Sequence, residues 1–398
     1  MLNAYVQLLR LRSLTALRPI LDLPGMQALQ TLLSELSQRK PAALTLLDSY
    51  GALLSAIRSE DCSLGAYLAR HLALEPTPLG EAVAAGTEDE ALLNAGTRDL
   101  AILNEVALLD STALLTAMSA FTQGIEAGML GWTAEPLPTM DALLDSWRCN
   151  GVGQFAVGQA FRYDRGELQQ VRKADPISQA DMTGYEWQRQ QVLQNTRALV
   201  NGQRANNVLL YGDSGTGKSA LIKSLIHEPD FARLRLIEVD KASFGALPAL
   251  LRLCGSQSQV FIVFLDDISF EPEDPAYGAL KSALEGGLEP CAPNVRIYAT
   301  SNRRHMVKEL HSDRSGDQLH IRETIQEQTS LAERFGLKLP YLAMSKPEYL
   351  AMVHFMAERE GIEDPQMDAK ANQWELEHAG RTPRVARQFV DALHAGTV

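Results

Sequence analysis

Cysteine is scarce in this chain. The four residues, Cys62, Cys149, Cys254 and Cys291, lie far apart and form no CxxC pair, so neither a zinc cluster nor a disulfide framework is signalled. Long apolar runs are missing as well. Arg10, Arg12 and Arg18 interrupt the start, and nothing reaches the ~18–20 apolar residues that a membrane span requires. The basic start, apolar run and small-residue cleavage site of a secretory leader are also lacking. Positive charge is in deficit: 37 Lys and Arg stand against 49 Asp and Glu, a net charge of −12. That balance argues against broad binding to nucleic acid or to an anionic membrane. The expectation is a cytoplasmic protein with reduced thiols and no membrane partner.

What remains is ample for folding. The chain has 398 residues, 45% hydrophobic and 22% charged, enough for two or three domains with their own cores. The first 150 residues are rich in Leu and Ala and hold 9 basic and 17 acidic residues, a net of −8. Leu44, Leu47, Tyr50, Leu54 and Ile57 recur at spacings of three and four behind Pro41, which predicts a helix with one apolar stripe. Asp110 ahead of Ser-Thr-Ala-Leu-Leu predicts a capped helix start. Residues 1–150 are therefore expected to form an all-α domain. In 151–175, Phe155, Val157, Phe161 and Tyr163 share odd positions before a turn at Asp164-Arg165-Gly166, which predicts a short hairpin linker. Beyond it, five short β-rich runs (207–211, 234–239, 260–265, 295–300 and 337–341) alternate with helical stretches. That pattern predicts an α/β core over 176–344 with a five-stranded parallel sheet, followed by a small helical lid over 345–398.

The segment Gly212-Asp213-Ser214-Gly215-Thr216-Gly217-Lys218-Ser219 satisfies GxxxxGK[ST] in full. An apolar strand pattern precedes it and a helical one follows, the context that makes it a strong P-loop signal. Its backbone N–H groups would cradle phosphate oxygens. Lys218 would reach the β- and γ-phosphates of ATP, and the Ser219 hydroxyl would ligate Mg²⁺. The run 260–265 ends in Asp266-Asp267. Carboxylates at the C-terminal end of a buried strand sit where open α/β sheets bind ligands. Asp266 would hold Mg²⁺, and Asp267 would polarise the attacking water. The run 295–300 leads through Ser301 into Asn302, placed to orient water together with Asp267.

The ordered set of P-loop, acidic strand end, Thr-Ser-Asn strand end and Glu333-Arg334-Phe335-Gly336 resembles the core of AAA+ ATPases. More narrowly, four segments are similar to an uncharacterised bacterial family of predicted AAA+-like ATPases, a domain of unknown function. These are Asn206-Asn-Val-Leu-Leu-Tyr-Gly, Leu265-Asp-Asp-Ile-Ser-Phe-Glu, Leu284-Glu-Gly-Gly-Leu-Glu and Tyr298-Ala-Thr-Ser-Asn-Arg-Arg-His305. The resemblance runs from about Phe155 to the C-terminus. It implies that Asn302 is the sensor-1 residue and that Arg334 is an arginine finger completing a neighbouring subunit's site. It implies that Arg384 in Gly380-Arg-Thr-Pro-Arg384 is the sensor-2 contact, with Arg381 competing, and that Gly184-Tyr185 cups the adenine. Plainer readings stay open: Arg334 and Arg384 as surface arginines, Asn302 as a strand terminator, Gly184-Tyr185 as a helix start. Most AAA+ proteins have Glu where this chain has Asp267, so slow turnover is expected.

Phe244-Gly245 falls where translocating relatives place a pore loop, but it reads equally well as a helix start packing its Phe. His305, His311 and His320 share a polar stretch without metal-ligand spacing, and Arg303 and Arg304 read either as partner contacts or as solvated arginines. The resemblance implies an ATPase that binds ATP or ADP with Mg²⁺ and works as a homo-oligomer, its helical N-terminal domain carrying a protein partner. The alternatives are a nucleotide-dependent switch or scaffold with negligible hydrolysis, or a helicase-loader-like remodeller of nucleic acid, which the acidity disfavours.

Overall fold

The computed structural model describes residues 3–60, 63–87, 89–174, 176–268, 278, 280, 281, 283, 284, 292–302, 332–378 and 380–398. The chain divides into two compact units, Met1–Val157 and Gly158–Val398. Cys62, Cys291, Arg303, Arg304, His305, His311 and His320 lie outside the described residues, as does most of 284–289. No single described helix is long and apolar enough to cross a membrane.

The described part of the first unit is helical. Its helices are α1 (Ala4–Arg12), α2 (Pro24–Leu36), α3 (Ala43–Glu60), α4 (Leu64–Leu74), α5 (Pro78–Ala85), α6 (Glu90–Ala107), α7 (Ser111–Thr122) and α8 (Met140–Asn150). Asp110 caps α7 by accepting from the Ala113 N–H at 3.0 Å, as expected. The buried stripe of α3 differs from the expected one. Leu46, Tyr50, Leu53 and Ile57 are fully buried, whereas Leu44 is 77% exposed. A Leu-rich helix lets two stripes be drawn at spacings of three and four, and only the neighbouring helices decide which is covered. A polar clamp accompanies the apolar packing. Asp99, wholly buried on α6, accepts the N–H groups of Thr15 at 2.7 Å and Leu17 at 3.1 Å.

The second unit is α/β. Its elements are β1 (Ala160–Asp164), β2 (Glu167–Gln170), α9 (Glu186–Val200), β3 (Val208–Gly212), α10 (Lys218–Ser224) and β4 (Leu234–Val239). They continue with α11 (Leu247–Gly255), β5 (Val260–Leu265), β6 (Val295–Ser301), β7 (Leu337–Tyr341), α12 (Lys346–Arg359), α13 (Met367–Glu377) and α14 (Pro383–His394). Among the described residues the sheet has seven strands in the order β2-β1-β4-β5-β6-β3-β7, not five. All five expected runs are in it. The other two strands come from the predicted hairpin, whose first strand pairs parallel with β4 through Ala160–Tyr163 and antiparallel with β2. The expected alternation holds for Phe161 and Tyr163, both buried, but Phe155 lies in a 3-10 turn and Val157 is 43% exposed. Every pairing but β1 with β2 is parallel, so the C-terminal ends of β3, β5 and β6 meet at one edge. β5 is buried at all six positions, as a strand covered on both faces must be.

The C-terminal helices enclose an apolar cluster of their own, including Tyr349, Val353, Phe389 and Val390. Tyr185 packs against both this cluster and the sheet's core. Phe244, in a 3-10 helix after β4, is 2% exposed. Its ring is core, which removes the pore-loop reading.

Candidate functional site

β6 lies between β3 and β5, so the loop after β3 and the acidic end of β5 flank the end of one shared neighbour. Lys218 is 5% exposed, and its ammonium donates to the carbonyls of Asp213 at 2.6 Å and Gly212 at 3.2 Å and to Thr216 Oγ1 at 3.4 Å. Burial pushes its pKa down. The carboxylates of Asp213, Asp267 and Asp266 pull the other way, and Arg384 adds to the lowering. Asp266 Oδ1 accepts the Ser219 hydroxyl at 2.5 Å and the Thr300 hydroxyl at 2.6 Å. Thr300 Oγ1 in turn accepts the Asp267 N–H at 2.8 Å. One threonine on the middle strand therefore fixes both acidic residues.

Asp267 is held in an unusual way. Its φ is 51°, in the left-handed region that non-glycine residues seldom enter. Asn302 Nδ2 donates to its Oδ1 at 2.7 Å, and Lys241 Nζ lies 3.8 Å from its Oδ2. A strained backbone held by several partners is a frequent feature of functional sites.

Gly212 and Gly215 fit the loop against its neighbours. Gly212 has φ 135°, and a Cβ there would stand 2.2 Å from the Tyr341 carbonyl oxygen. The Asp213 N–H donates to that same carbonyl at 2.8 Å, and the Asp213 carboxylate accepts the Ala343 N–H at 2.7 Å. Asp213 is thus turned to the chain after β7, a fixing role where a phosphate contact had been expected. Gly212→Ala should lower stability by roughly 3 kcal/mol, combining positive-φ strain with a backbone clash. Chemical denaturation of both proteins checks this through the midpoint. At Gly215, φ is 76° and a Cβ would lie 3.1 Å from Arg384 Cβ. Its carbonyl accepts the Arg384 N–H at 3.2 Å, tying the loop to the start of α14.

Many of these groups border a cavity of about 800 Å³, the size range of small-molecule and cofactor sites. Ser214 to Ser219, Asp266, Asp267, Thr300, Asn302 and Arg384 line one part of it. Gly184, Tyr185, Met182, Met352, Phe355 and Met356 give an apolar part. Tyr185 has φ 55°, donates its hydroxyl to the Leu342 carbonyl at 2.6 Å, and sets its ring 4.7 Å from that of Tyr341. Burial raises the pKa of that phenol, so it stays a neutral donor. Of the two competing arginines, Arg384 lines the cavity, while Arg381 Nε pairs with Glu375 at 3.1 Å. Arg334 is exposed, between buried Ala332 and Phe335, and does not line the cavity. Thr300 lies inside the Thr-Ser-Asn strand end, whose sequence pattern gives it no role of its own. Lys241, two residues beyond β4, belongs to no motif.

A hydroxyl and a carboxylate within hydrogen-bond distance, as in Ser219 and Asp266, are oxygen ligands suited to Mg²⁺. Among the described residues no group of three or more His, Cys, Asp or Glu could hold a metal. An ion between Ser219 and Asp266 would complete its shell with water and substrate phosphate, as Mg²⁺ commonly does.

Residues 156–397 match the family described as "Protein of unknown function (DUF815)". The chain belongs to this family. The DUF815 match takes in the second unit with its sheet, P-loop and C-terminal helices, and leaves out nearly all of the helical first unit. Curated proteins offer no match. Among solved structures, the chain is similar to the Thermotoga maritima RuvB Holliday junction branch migration motor. The two are 18% identical with a TM-score of 0.39, over 55% of this chain and 65% of that one. It is likewise similar to the Aeropyrum pernix Orc1 protein solved in complex with DNA, at 17% identity and a TM-score of 0.39, over 54% and 60% of the two chains. The DUF815 chain thus spans less than two thirds of the length of either.

Proposed function

We propose that this DUF815 protein binds ATP in the P-loop cavity and hydrolyses it with Mg²⁺, as an AAA+-type ATPase. The observation that carries the reading is the shared carboxylate. Asp266 Oδ1 is hydrogen-bonded to the P-loop residue Ser219 and to Thr300, beside a buried Lys218. Lys218 would exchange its loop carbonyls for β- and γ-phosphate oxygens. Mg²⁺, held by Ser219 and Asp266, would supply charge neutralisation on those oxygens. Asp267 would accept a proton from the attacking water, with Asn302 orienting the carboxylate. Arg384, fixed to the P-loop by its own backbone, would report the nucleotide to the C-terminal helices. Gly184-Tyr185 and the neighbouring methionines would enclose the base.

Arg334 lies off its own chain's cavity, so an arginine finger there would serve a second copy. The working form is then a homo-oligomer, in which ATP turnover remodels a protein partner carried by the helical first unit. A second reading, a switch with negligible hydrolysis, draws on Asp267. Its carboxylate is already engaged by Asn302 and Lys241, and it is shorter than the usual Glu. Nucleic acid as the load is disfavoured by the net charge of −12.

The test is ATP affinity with and without Mg²⁺ for the wild type and Asp266→Asn. The variant should still bind ATP, lose most of the Mg²⁺-dependent gain, and turn over at least tenfold more slowly. An unchanged response to Mg²⁺ would remove Asp266 from the site.

A further inference from the structure

Asp181 and Arg359 both line the cavity, yet neither is catalytic in the scheme above. Asp181 ends the 3-10 turn Gln179–Asp181 ahead of α9, and Arg359 ends α12. Their side chains are 37% and 48% exposed. Groups that line a cavity and still reach solvent stand at its rim.

The two residues meet there. Arg359 NH2 donates to Asp181 Oδ1, and the guanidinium lies 5.6 Å from the centroid of the Phe355 ring, itself in the cavity wall. Asp181 is preset for the contact. Its Oδ2 accepts the Ser178 N–H at 2.9 Å and the Ser178 hydroxyl at 2.7 Å, which leaves Oδ1 facing Arg359. Those Ser178 bonds, followed by Arg359, hold its carboxyl below the usual range, so it is charged at neutral pH.

The turn carrying Asp181 is anchored rather than loose. Arg189 on α9 donates from NH1 to the carbonyls of Met182 at 2.7 Å and Gln179 at 3.2 Å. Gln179 Nε2 donates to Ser224 Oγ at 2.6 Å, at the end of α10. Besides the packing of Tyr185, two separated hydrogen bonds at the cavity join the C-terminal helices to its sheet side. One is Arg384 N–H on the Gly215 carbonyl, and the other is Arg359 on Asp181.

We propose that the Asp181–Arg359 pair is a latch across the rim of the cavity, which must open for a bound nucleotide to leave and so sets its residence time. This rests on the reading of the cavity as a nucleotide site. Since both partners are partly in water, the pair contributes modestly and is weakened by salt. Its loss therefore acts on release and leaves the P-loop contacts alone.

The experiment is release of a fluorescent N-methylanthraniloyl ADP from the full-length protein with Mg²⁺, chased with excess ADP. Arg359→Gln is expected to speed release roughly two- to fivefold. Arg359→Lys, which keeps the charge, should recover most of the wild-type rate. At about 1 M salt, which weakens a solvent-exposed ion pair, the difference between wild type and Arg359→Gln should shrink, which a purely structural role would not produce. Equal release rates for wild type and Arg359→Gln at low salt would overturn the latch while leaving the nucleotide site standing. Failure of the wild type to bind the nucleotide at all would overturn both.

Discussion

Arg334→Ala is expected to lower ATP turnover by roughly 10³- to 10⁵-fold, the span seen when an arginine finger is removed from related phosphoryl-transfer sites, while leaving ATP binding nearly intact. The expectation follows from where the side chain stands. Buried Ala332 and Phe335 pin the backbone on either side of it, and Arg334 itself is exposed and apart from its own chain's cavity. A guanidinium so placed reaches transferring phosphate only if another subunit brings its site to it. Mixing supplies the deciding observation. Lys218→Ala keeps the finger and lacks a working site, whereas Arg334→Ala keeps the site and lacks the finger. Each alone should be inactive, and the two together should regain activity, because some interfaces then pair an intact site with an intact finger. If the mixture stays inactive while both variants bind each other, Arg334 does not act in trans.

A second large effect is expected at Asp267. Asp267→Asn should reduce turnover by about 10²- to 10⁴-fold, the usual contribution of a positioned general base, with ATP affinity changed little. The Asn side chain keeps the size of Asp and one acceptor oxygen for the Asn302 amide, so the left-handed backbone at φ 51° need not shift. What is lost is the ability to take a proton. Single-turnover kinetics separate the two contributions: binding should be preserved and the chemical step slowed. Turnover equal to that of the wild type would remove Asp267 as the general base and leave it only a structural part.

The P-loop was legible because its chemistry demands residue types at fixed spacing, from Gly212 to Ser219, and because β5 and β6 are apolar runs that end abruptly in polar residues. Features that depend on one strand and its end alone are readable in the sequence. It falls short where the outcome depends on a neighbour. Seven strands replace five because β1 finds a parallel partner in β4, a choice that no local pattern encodes. Leu44 and Leu46 are equally apolar, and the packing of α3 alone decides that Leu46 is buried. Thr300 gains its importance from standing between β3 and β5, which makes one hydroxyl the link between Ser219's carboxylate partner and the Asp267 backbone. The cap of α14 places the two arginines differently, which no local pattern encodes: Arg384 follows Pro383 onto the P-loop side, and Arg381 is drawn to Glu375.

The most direct test of the central claim is ATP turnover with Mg²⁺, measured across a range of protein concentrations for the wild type and Lys218→Ala. Specific activity that rises with concentration in the wild type and vanishes in Lys218→Ala is the predicted result. It would place hydrolysis at the P-loop and its completion at a contact between copies. Wild-type turnover that cannot be told from that of Lys218→Ala at every concentration would contradict the account.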